Sequence, residues 1–481
     1  MTTSILYSGP NYRWMVFHLF LAIVSIISKW FFIIWFYFFI IISFNKIISD
    51  IIIRRTISTY IPFIIYLCSS EVFGRMLGAS PYIPWELSKY LIISTSIILL
   101  ISKSVPQPYK LGFVLILLLI PGLFIDSSMY VTKQTGVIID AYIGKYRINN
   151  ILGPLSMFLL IIVIGGYKIT EKNFDTIIKL IWYMATVVLI YALIKTPEYS
   201  KLTFSLGGNY QTSGGFGANQ VSTILGLGMF LSFYAWMNKL LFSGNHSLDG
   251  LFIGLFAYQG FLTFSRGGMF IGIIAIIFYY LLFRSARSYK QIKEIRSLRP
   301  FLFFGLAILL LISSWALIQD LSSGTIGLRY LGETPTTISG DKIRSFNTIT
   351  TGRYAVFLAD LNLWYDNIIF GTGAGYSQIL RGNGLGGIAT HTELSRLLAE
   401  HGIFGFLIIV LMLYLFIKIF IINKNNINRA ILVCLFIIGI GTSTHSAMRT
   451  FVTPVLIGLS VMHVKTKELD YQNNENTLYR K

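Results

Sequence analysis

Residues 391–405 read HTELSRLLAEHGIFG, and an apolar run follows directly. This stretch closes a long polar segment in a chain that is otherwise dominated by apolar runs. Histidine, glutamate and arginine gather here, whereas ionisable groups elsewhere stand mainly at the ends of hydrophobic runs. Because these groups lie where the chain re-enters an apolar run, the stretch is the first candidate for chemistry.

The composition is that of a membrane protein. Of the 481 residues, 54% are hydrophobic and 12% are charged, which is about half of the charged fraction of a soluble domain. Mean hydropathy is +0.69. Apolar runs of about 17 or more residues can each cross the hydrocarbon core as a helix. The sequence therefore predicts an all-α integral membrane protein, a polytopic bundle of about 12–14 transmembrane helices.

The apolar runs define the expected spans and domains. The opening run, 14–44, is interrupted by Lys29 and predicts two tight helices. Further spans are expected at 57–75, 86–102, 110–125, 151–167, 174–195, 219–239, 251–264, 267–283, 301–319, 402–422, 430–444 and 451–464. We divide the chain into N-terminal transmembrane helices (1–200), a second membrane domain (201–465) that includes a long loop (320–400), and a polar tail (466–481).

Basic residues predict the orientation. They crowd short loops that fall on one side when the spans are counted alternately, above all the loop 284–299. The positive-inside rule makes that side cytoplasmic, so both termini are expected inside and the loop 320–400 in the periplasm. The loop 126–150 departs from this pattern with Lys133, Lys145 and Arg147. The net charge of +19 is thus a topology signal, and nucleic acid is not an expected partner.

Cysteines and acidic residues give no sign of a metal or cofactor. Cys68 and Cys434 lie inside apolar runs, and the outer segments contain no acidic or histidine pair at ligand spacing. No nucleotide-binding fingerprint is present. The first apolar run lacks a small-residue cleavage site, so it is not interpreted as a removed signal peptide.

Two glycine-containing stretches precede the polar segment. The loop 207–219 leads into a helix, and the motif GGFGANQ (214–220) spans their junction. The loop either approaches an anion with its backbone or is a flexible loop with Asn219 as a helix cap. The stretch TFSRGG, 263–268, joins two apolar runs with almost no loop. Arg266 in it either extends to the membrane surface or grips a diphosphate with its planar guanidinium.

Two further stretches belong to the polar segment and its end. TGRY, 351–354, begins an amphipathic helix with an aromatic stripe that is typical of packing, and Arg353 leads it. His391 can take a proton from a hydroxyl near neutral pH. Glu393 either orients His391 or forms an ordinary helix pair with Arg396. His445 and Arg449, in a short turn on the same face, are secondary candidates together with Asn219 and Arg396.

Together these motifs resemble the O-antigen ligase/polymerase superfamily. The resemblance covers roughly 207–420 and is carried by GGFGANQ, SRGG, TGR with FGTGAG, and HTELSRLLAEHGIFG, in that order around a long outer loop. Family members commonly have His-Asn where this chain has His391 and Thr392.

The resemblance implies an inverting, metal-independent glycosyltransferase at the outer face of the bacterial inner membrane. Its donor would be an undecaprenyl-diphosphate-linked glycan, held by Arg266 and Arg353, while His391 activates the acceptor hydroxyl. A chain-length regulator and a flippase are further partners implied by the resemblance. We expect a polymerase of lipid-linked repeat units. The alternatives are an O-antigen ligase that uses lipid A-core, a protein O-oligosaccharyltransferase, and a non-enzymatic polysaccharide transporter.

Overall fold

The computed structural model describes residues 11–49, 51–52, 57–128, 140–285, 298–382, 384–388, 390–422 and 428–465. The first half of the chain forms α1 (Asn11–Ile27), α2 (Lys29–Ser49), α3 (Tyr60–Ser69), α4 (Glu71–Met76), α5 (Leu87–Ile101), α6 (Lys110–Phe124), α7 (Asp140–Ile164), β1 (Lys168–Thr170) and α8 (Glu171–Lys195). The second half forms α9 (Ala218–Asn238), α10 (His246–Leu262), α11 (Arg266–Ser285), α12 (Arg299–Leu321), α13 (Thr325–Leu331), α14 (Pro335–Ile338), α15 (Phe346–Ile349), α16 (Arg353–Asp366), α17 (Ser377–Leu380), α18 (Glu393–Ile422), α19 (Asn428–His445), α20 (Val452–Ser460) and β2 (His463–Lys465).

The predicted all-α, polytopic membrane class is confirmed. Among the described residues, eight helices of at least 18 residues are apolar enough to cross a membrane, namely α2, α7, α8, α9, α11, α12, α18 and α19. Three shorter apolar helices, α1, α5 and α6, accompany them. The remaining expected spans are shorter or interrupted within the described residues, at α3 with α4, at α10 and at α20. The expected turn near Lys29 is present, because α1 ends at Ile27 and α2 begins at Lys29.

The core is centred on α9. Its residues 221–237 are all buried, and α8, α10 and α11 pack around it. A hydrogen bond joins α8 to α9 inside this core, where Trp182 Nε1 donates to Ser232 Oγ at 2.8 Å. At the periphery, α12 and α18 expose leucine, isoleucine and phenylalanine side chains along much of their length, as lipid-facing helices do. The division at residue 200 stays a prediction, and the core includes residues from both sides of it; the tail 466–481 lies outside the described residues.

Helices α9 and α11 approach each other closely through glycines. A Cβ at Gly226 would lie 2.1 Å from the Gly268 carbonyl oxygen, and a Cβ at Gly268 would lie 2.3 Å from that of Ser222. Small residues at such crossings let two backbones pack directly in a membrane. The second glycine of SRGG therefore has a packing role, and it fixes where α11 begins.

Helix α18 is broken at Gly402, which has φ 57° and ψ −131°. The break frees carbonyl groups one turn earlier, and the glycine loop 370–376 satisfies them. The amide of Thr372 donates to the Ala399 carbonyl at 2.8 Å, and that of Gly373 to the Glu400 carbonyl at 3.1 Å. The FGTGAG motif thus clasps the beginning of α18 against the rest of the bundle.

The loop that departs from the positive-inside pattern packs beneath this clasp. Arg147 Nη2 donates to the Ile125 carbonyl at 3.0 Å, and its guanidinium lies 5.2 Å from the centre of the Tyr376 ring. This packing gives Arg147 a structural role in the loop. Lys133 lies outside the described residues.

A short parallel ribbon closes the other end of the bundle. β1 pairs with β2 in the register Lys168 with His463 and Thr170 with Lys465. The amide of Gly166 also donates to the Val461 carbonyl at 3.1 Å. The ribbon therefore joins the α7–α8 connection to the segment that follows α20.

Candidate active site

A cavity of about 580 Å³ opens at the end of the bundle where the polar segment between α12 and α18 lies. Its lining combines aromatic and hydroxyl side chains with two arginines and contains no carboxylate: Arg266, Gly267, Phe270, Tyr330, Phe346, Ile349, Thr350, Arg353, Tyr354, Phe357, Thr392 and Thr444. The two predicted diphosphate-binding residues, Arg266 and Arg353, therefore share one cavity.

Arg266 begins α11 and is held from two directions. Its Nη1 donates to the Arg329 carbonyl at 2.9 Å, and its Nη2 donates to the Ile349 carbonyl. Behind it, Ser265 Oγ donates to Asn219 Oδ1 at 2.8 Å. These bonds fix the guanidinium in the cavity wall, so Arg266 does not extend freely to the membrane surface.

Arg353 begins α16 and faces the cavity with an unpaired guanidinium. Among the described residues, none forms a hydrogen bond or ion pair with that group. Burial, followed by the charges of Arg266 and Arg449, lowers the pKa of Arg353 to about 10. It remains charged at neutral pH, and an anion would stabilise it.

Arg329 on α13 is a third arginine of this cluster. Burial, followed by the charges of Arg266 and Arg353, lowers its pKa to about 10. Its Nε is buried without a hydrogen-bond partner. Like charges held together destabilise one another, so the three guanidinium groups favour an anion with several charged oxygens, such as a diphosphate.

His391 lies just before α18 at the edge of the same cluster. Its backbone carbonyl accepts a hydrogen bond from the Ala447 amide at 3.0 Å, while its Nδ1 is buried without a partner. Burial, followed by the charges of Arg449 and Arg353, lowers the pKa of His391 to about 3. The ring is therefore neutral at physiological pH and able to accept a proton.

Glu393 does not orient His391, which corrects one of the two expectations for it. Glu393 is buried and pairs with Arg396, whose Nε also lies 3.3 Å from Glu393 Oε2. Arg396 further contacts Glu400 at 3.3 Å, and its Nη2 donates to the Asn150 carbonyl at 2.8 Å. The helix pair is the arrangement present, and it joins α18 to α7.

With the exception of Thr444, the residues that line this cavity lie within one stretch of the chain, residues 251–410. Residues 251–410 match the family model described as O-Antigen ligase. Over this stretch, about a third of the chain, the sequence is similar to the O-antigen ligase/polymerase superfamily. That likeness supports a general enzyme role. No curated protein and no solved structure matches the chain.

The matched region contains the two cavity arginines, the neighbouring Arg329 and His391. Thr392, where family members commonly have asparagine, lines the cavity and lies 2.5 Å from Ser395 through its Oγ1. Among the described residues, no group of three or more histidine, cysteine or acidic side chains is arranged to hold a metal ion.

His445 packs against the cavity residue Gly267. Its Nε2 lies 3.0 Å from Thr223 Oγ1 and its Nδ1 lies 3.1 Å from the Gly441 carbonyl. The ring packs against Gly267, where an added Cβ would lie 2.5 Å away. Both nitrogens of His445 are thus engaged, whereas His391 has a ring nitrogen without a partner.

Asn219 supports the site from behind and does not cap a helix. The N-cap of α9 is Gly217, and Asn219 lies inside the helix, where its side chain accepts from Ser265. Within the described residues, no part of the loop 207–219 lines the cavity. The loop therefore belongs to the scaffold around the site.

Arg75 is a functional support that the sequence analysis did not identify. It is buried on α4 and donates through Nη1 to Gln220 Oε1 at 2.7 Å and to the Arg449 carbonyl at 2.7 Å. Arg449 Nη2 in turn donates to the Thr390 carbonyl at 3.1 Å, next to His391. The sequence contains a signal for Arg75, because Glu71 and Arg75 form an i,i+4 charged pair within an apolar run.

Proposed function

We propose that the chain polymerises undecaprenyl-diphosphate-linked oligosaccharide repeat units by inverting glycosyl transfer at the outer face of the bacterial inner membrane. One observation carries this proposal. A cavity without carboxylates holds two arginines, has a third beside it, and has a neutral histidine at its edge.

The arginine cluster suits the leaving group. When the bond between the anomeric carbon and the phosphate oxygen breaks, negative charge develops on the diphosphate. Fixed cations in a water-poor site stabilise that charge more strongly than water does. Arg353 is free to bind it, while Arg266 is already oriented by two backbone carbonyls. In this proposal the arginines supply the positive charge, and no metal is required.

His391 suits the acceptor. The acceptor hydroxyl oxygen attacks the anomeric carbon from the side opposite the diphosphate, and His391 takes its proton. The free site makes His391 a weak base, because neighbouring arginine charges disfavour a second cation. A bound diphosphate offsets those charges and raises the pKa of His391. The base is thus strengthened when the donor is in place.

The location of the reaction is part of the proposal. We place the cavity end of the bundle in the periplasm and both termini in the cytoplasm. Lys168 and Lys465 in the β1–β2 ribbon lie at the other end, as the positive-inside rule favours for a cytoplasmic face. A flippase would deliver the donor to this face, and a chain-length regulator would act on the growing product.

An O-antigen ligase is the second candidate, because that is the description of the matching family model. The polymerase proposal rests on additional cations for a second anionic substrate. Arg329 joins the cavity cluster and Lys342 is exposed. Arg381 is excluded from this role, because its side chain is fully buried against Asp360.

Deletion of the gene tests which reaction runs. We expect a deletion strain to carry a single repeat unit on the surface acceptor in place of a long ladder on a glycan gel. A strain with no surface glycan, but with long chains accumulated on the lipid carrier, would instead identify the ligase. Complementation with the intact chain must restore the original pattern.

Point variants test the proposed site in the same strain. His391→Ala and Arg353→Ala are each expected to lower turnover by about 10² or more, typical of losing a general base or a charge-stabilising group. Protein level in the membrane must equal that of the intact chain. A normal ladder from His391→Ala would remove His391 from the role of base. Inhibition by a chelator that Mg²⁺ or Mn²⁺ reverses would contradict the metal-free mechanism.

A further inference from the structure

A buried ion pair lies behind the cavity wall. Arg381 Nε donates to Asp360 Oδ1 at 2.7 Å, and both side chains are fully buried. Arg381 also donates to the Ile388 carbonyl at 2.6 Å and to Thr390 Oγ1. Asp360 lies on α16, two turns after Arg353. The pair therefore joins the helix that carries Arg353 to the segment that carries His391.

Asp360 fixes the direction of the next hydrogen bond. Its Oδ1 accepts from Arg381, a group that stays protonated in proteins, so the carboxylate is ionised and its Oδ2 also acts only as an acceptor. Ser395 Oγ lies 2.7 Å from Oδ2 and 3.2 Å from the Thr392 carbonyl. The shorter, charge-assisted bond is the stronger one. The single hydroxyl hydrogen of Ser395 is therefore given to Asp360.

The direction of that bond determines what Thr392 can do. Thr392 Oγ1 lies 2.5 Å from Ser395 Oγ. Because Ser395 has used its only hydrogen, Thr392 must be the donor between the two hydroxyls. The Thr392 oxygen is then left with acceptor capacity alone, and Thr392 lines the cavity beside His391.

We propose that Thr392 Oγ1 accepts a hydrogen bond from a sugar hydroxyl of the substrate, and that Asp360 sets this polarity through Ser395. The inference rests on the proposed function. A diphosphate that carries a lipid and a sugar has no hydrogen to donate at neutral pH, so it is matched to the guanidinium groups of Arg266 and Arg353. A hydroxyl has a hydrogen to donate, so it is matched to Thr392. The cavity is thereby divided into a phosphate side and a sugar side.

The test compares binding with transfer. The protein is purified in lipid nanodiscs, and its Kd is measured for undecaprenyl diphosphate, which has no sugar, and for the lipid-linked repeat unit extracted from the deletion strain. Transfer is followed as ladder formation from the same extract. Thr392→Val replaces the hydroxyl by a methyl group of similar size, and it is expected to lower transfer about tenfold, as for one lost hydrogen bond. Its Kd for undecaprenyl diphosphate should equal that of the unmodified protein.

Two comparisons show when the hydroxyl contact forms. If Thr392→Val weakens the Kd for the lipid-linked repeat unit, the contact forms when that unit binds. If that Kd is unchanged while transfer falls, the contact forms only during transfer. Thr392→Ser should retain most of the transfer, since it keeps the oxygen. Thr336→Val is the matched control, because Thr336 is exposed in the same polar segment outside the cavity.

A double variant tests the relay. Ser395→Ala removes the acceptor that holds the Thr392 hydrogen, and it should lower transfer several-fold without changing the Kd for undecaprenyl diphosphate. If Ser395 affects transfer through Thr392, the Ser395→Ala/Thr392→Val pair should be no worse than Thr392→Val alone. Multiplied losses in the pair would overturn the relay.

Failure of this inference can be told apart from failure of the proposed function. If His391→Ala and Arg353→Ala abolish transfer while Thr392→Val transfers normally, the sugar contact of Thr392 is wrong and the glycosyltransferase proposal stands. If His391→Ala and Arg353→Ala also transfer normally, the proposed function is wrong. An equal thermal midpoint for Thr392→Val and the unmodified protein excludes misfolding as the cause of a loss.

Discussion

Two histidines near the cavity differ in what their rings can still do. His445 has both nitrogens within hydrogen-bond distance of Thr223 and Gly441. His391 has its Nδ1 without a partner and lies among arginines. A base needs a free nitrogen in its neutral form, so His391 is the residue whose protonation is most informative.

The ionisation of His391 gives a pH prediction. With a pKa of about 3, the ring stays neutral on acidification through about pH 6.5, where an ordinary histidine gains its proton. Diethyl pyrocarbonate reacts with the neutral ring, so labelling of His391 should be undiminished at about pH 5. Trypsin releases peptide 382–396, in which His391 is the only histidine, and mass spectrometry reads the label there.

The direction of the pKa shift of His391 can be checked in two ways. Arg353→Gln removes a nearby positive charge and should raise the pKa of His391, so labelling then falls at a higher pH. In the folded protein His391 binds its proton at lower pH than in the unfolded chain. Acidification between about pH 6.5 and 3 therefore lowers the free energy of unfolding, and His391→Ala should lose less stability there. Labelling that halves near pH 6.5 in the unmodified protein would contradict the low pKa.

Arg266 is expected to tolerate no other cation. Its guanidinium donates to the carbonyls of Arg329 and Ile349 from two different nitrogens. Lysine has one nitrogen on a flexible stem and cannot span both. Arg266→Lys should therefore lower turnover nearly as much as Arg266→Ala, about 10² or more. Turnover of Arg266→Lys near that of the unmodified enzyme would show that charge alone suffices.

At the scale of the element, the break in α18 should be essential for the placement of His391. Gly402→Ala would place a Cβ 2.6 Å from both the Gly371 amide nitrogen and the Ile368 carbonyl oxygen, at a φ of +57°. We expect a lower thermal midpoint and lost transfer, because backbone strain of about 1–3 kcal/mol adds to the clash.

Gly340→Ala is the matched control for Gly402→Ala. Gly340 has φ +83°, but an added Cβ there meets nothing within 4 Å. It therefore reports the cost of the left-handed conformation alone. Equal thermal midpoints for the Gly402→Ala and Gly340→Ala proteins would show that the clasp around α18 contributes nothing.

Elements differ in how far the sequence could predict them. The break between α1 and α2 follows from one lysine in an apolar run, and the amphipathic α16 follows from its periodicity. The interrupted span α3–α4 was not predicted. Glu71 and Arg75 pair with each other inside it, but their burial also depends on hydrogen bonds to residues distant in sequence, Ser88 and Gln220. Such contacts leave no local pattern.

The candidate site could also be predicted only in part, because some of its contacts join residues that are distant in sequence. Arg266, Arg353 and His391 stand beside glycines or at the boundaries of apolar runs, where local sequence draws attention to them. Their common cavity depends on long-range contacts, such as that of Arg266 with Ile349. Whether Glu393 would face His391 or Arg396 depended on helix phase at the start of α18, and spacing alone permitted both.

At the scale of the whole molecule, orientation in the membrane is a testable prediction. Ser339→Cys lies in the exposed polar segment, and Gln107→Cys lies in the exposed turn between α5 and α6 at the other end. In intact spheroplasts, a membrane-impermeant maleimide should label the first and spare the second. Cys68 and Cys434 are buried, so background labelling should be low. The reverse pattern would invert the topology and remove the cavity from the periplasm.

The β1–β2 ribbon has a consequence for biogenesis. Six of the eight long apolar helices lie between its two strands in the chain. During synthesis the strand at Lys168–Thr170 leaves the ribosome early, and its backbone partner emerges only after those six helices have followed. The ribbon therefore cannot form until the translocon has received nearly all of these helices. Pairing of β1 with β2 is thus a final step, which occurs once the bundle is complete.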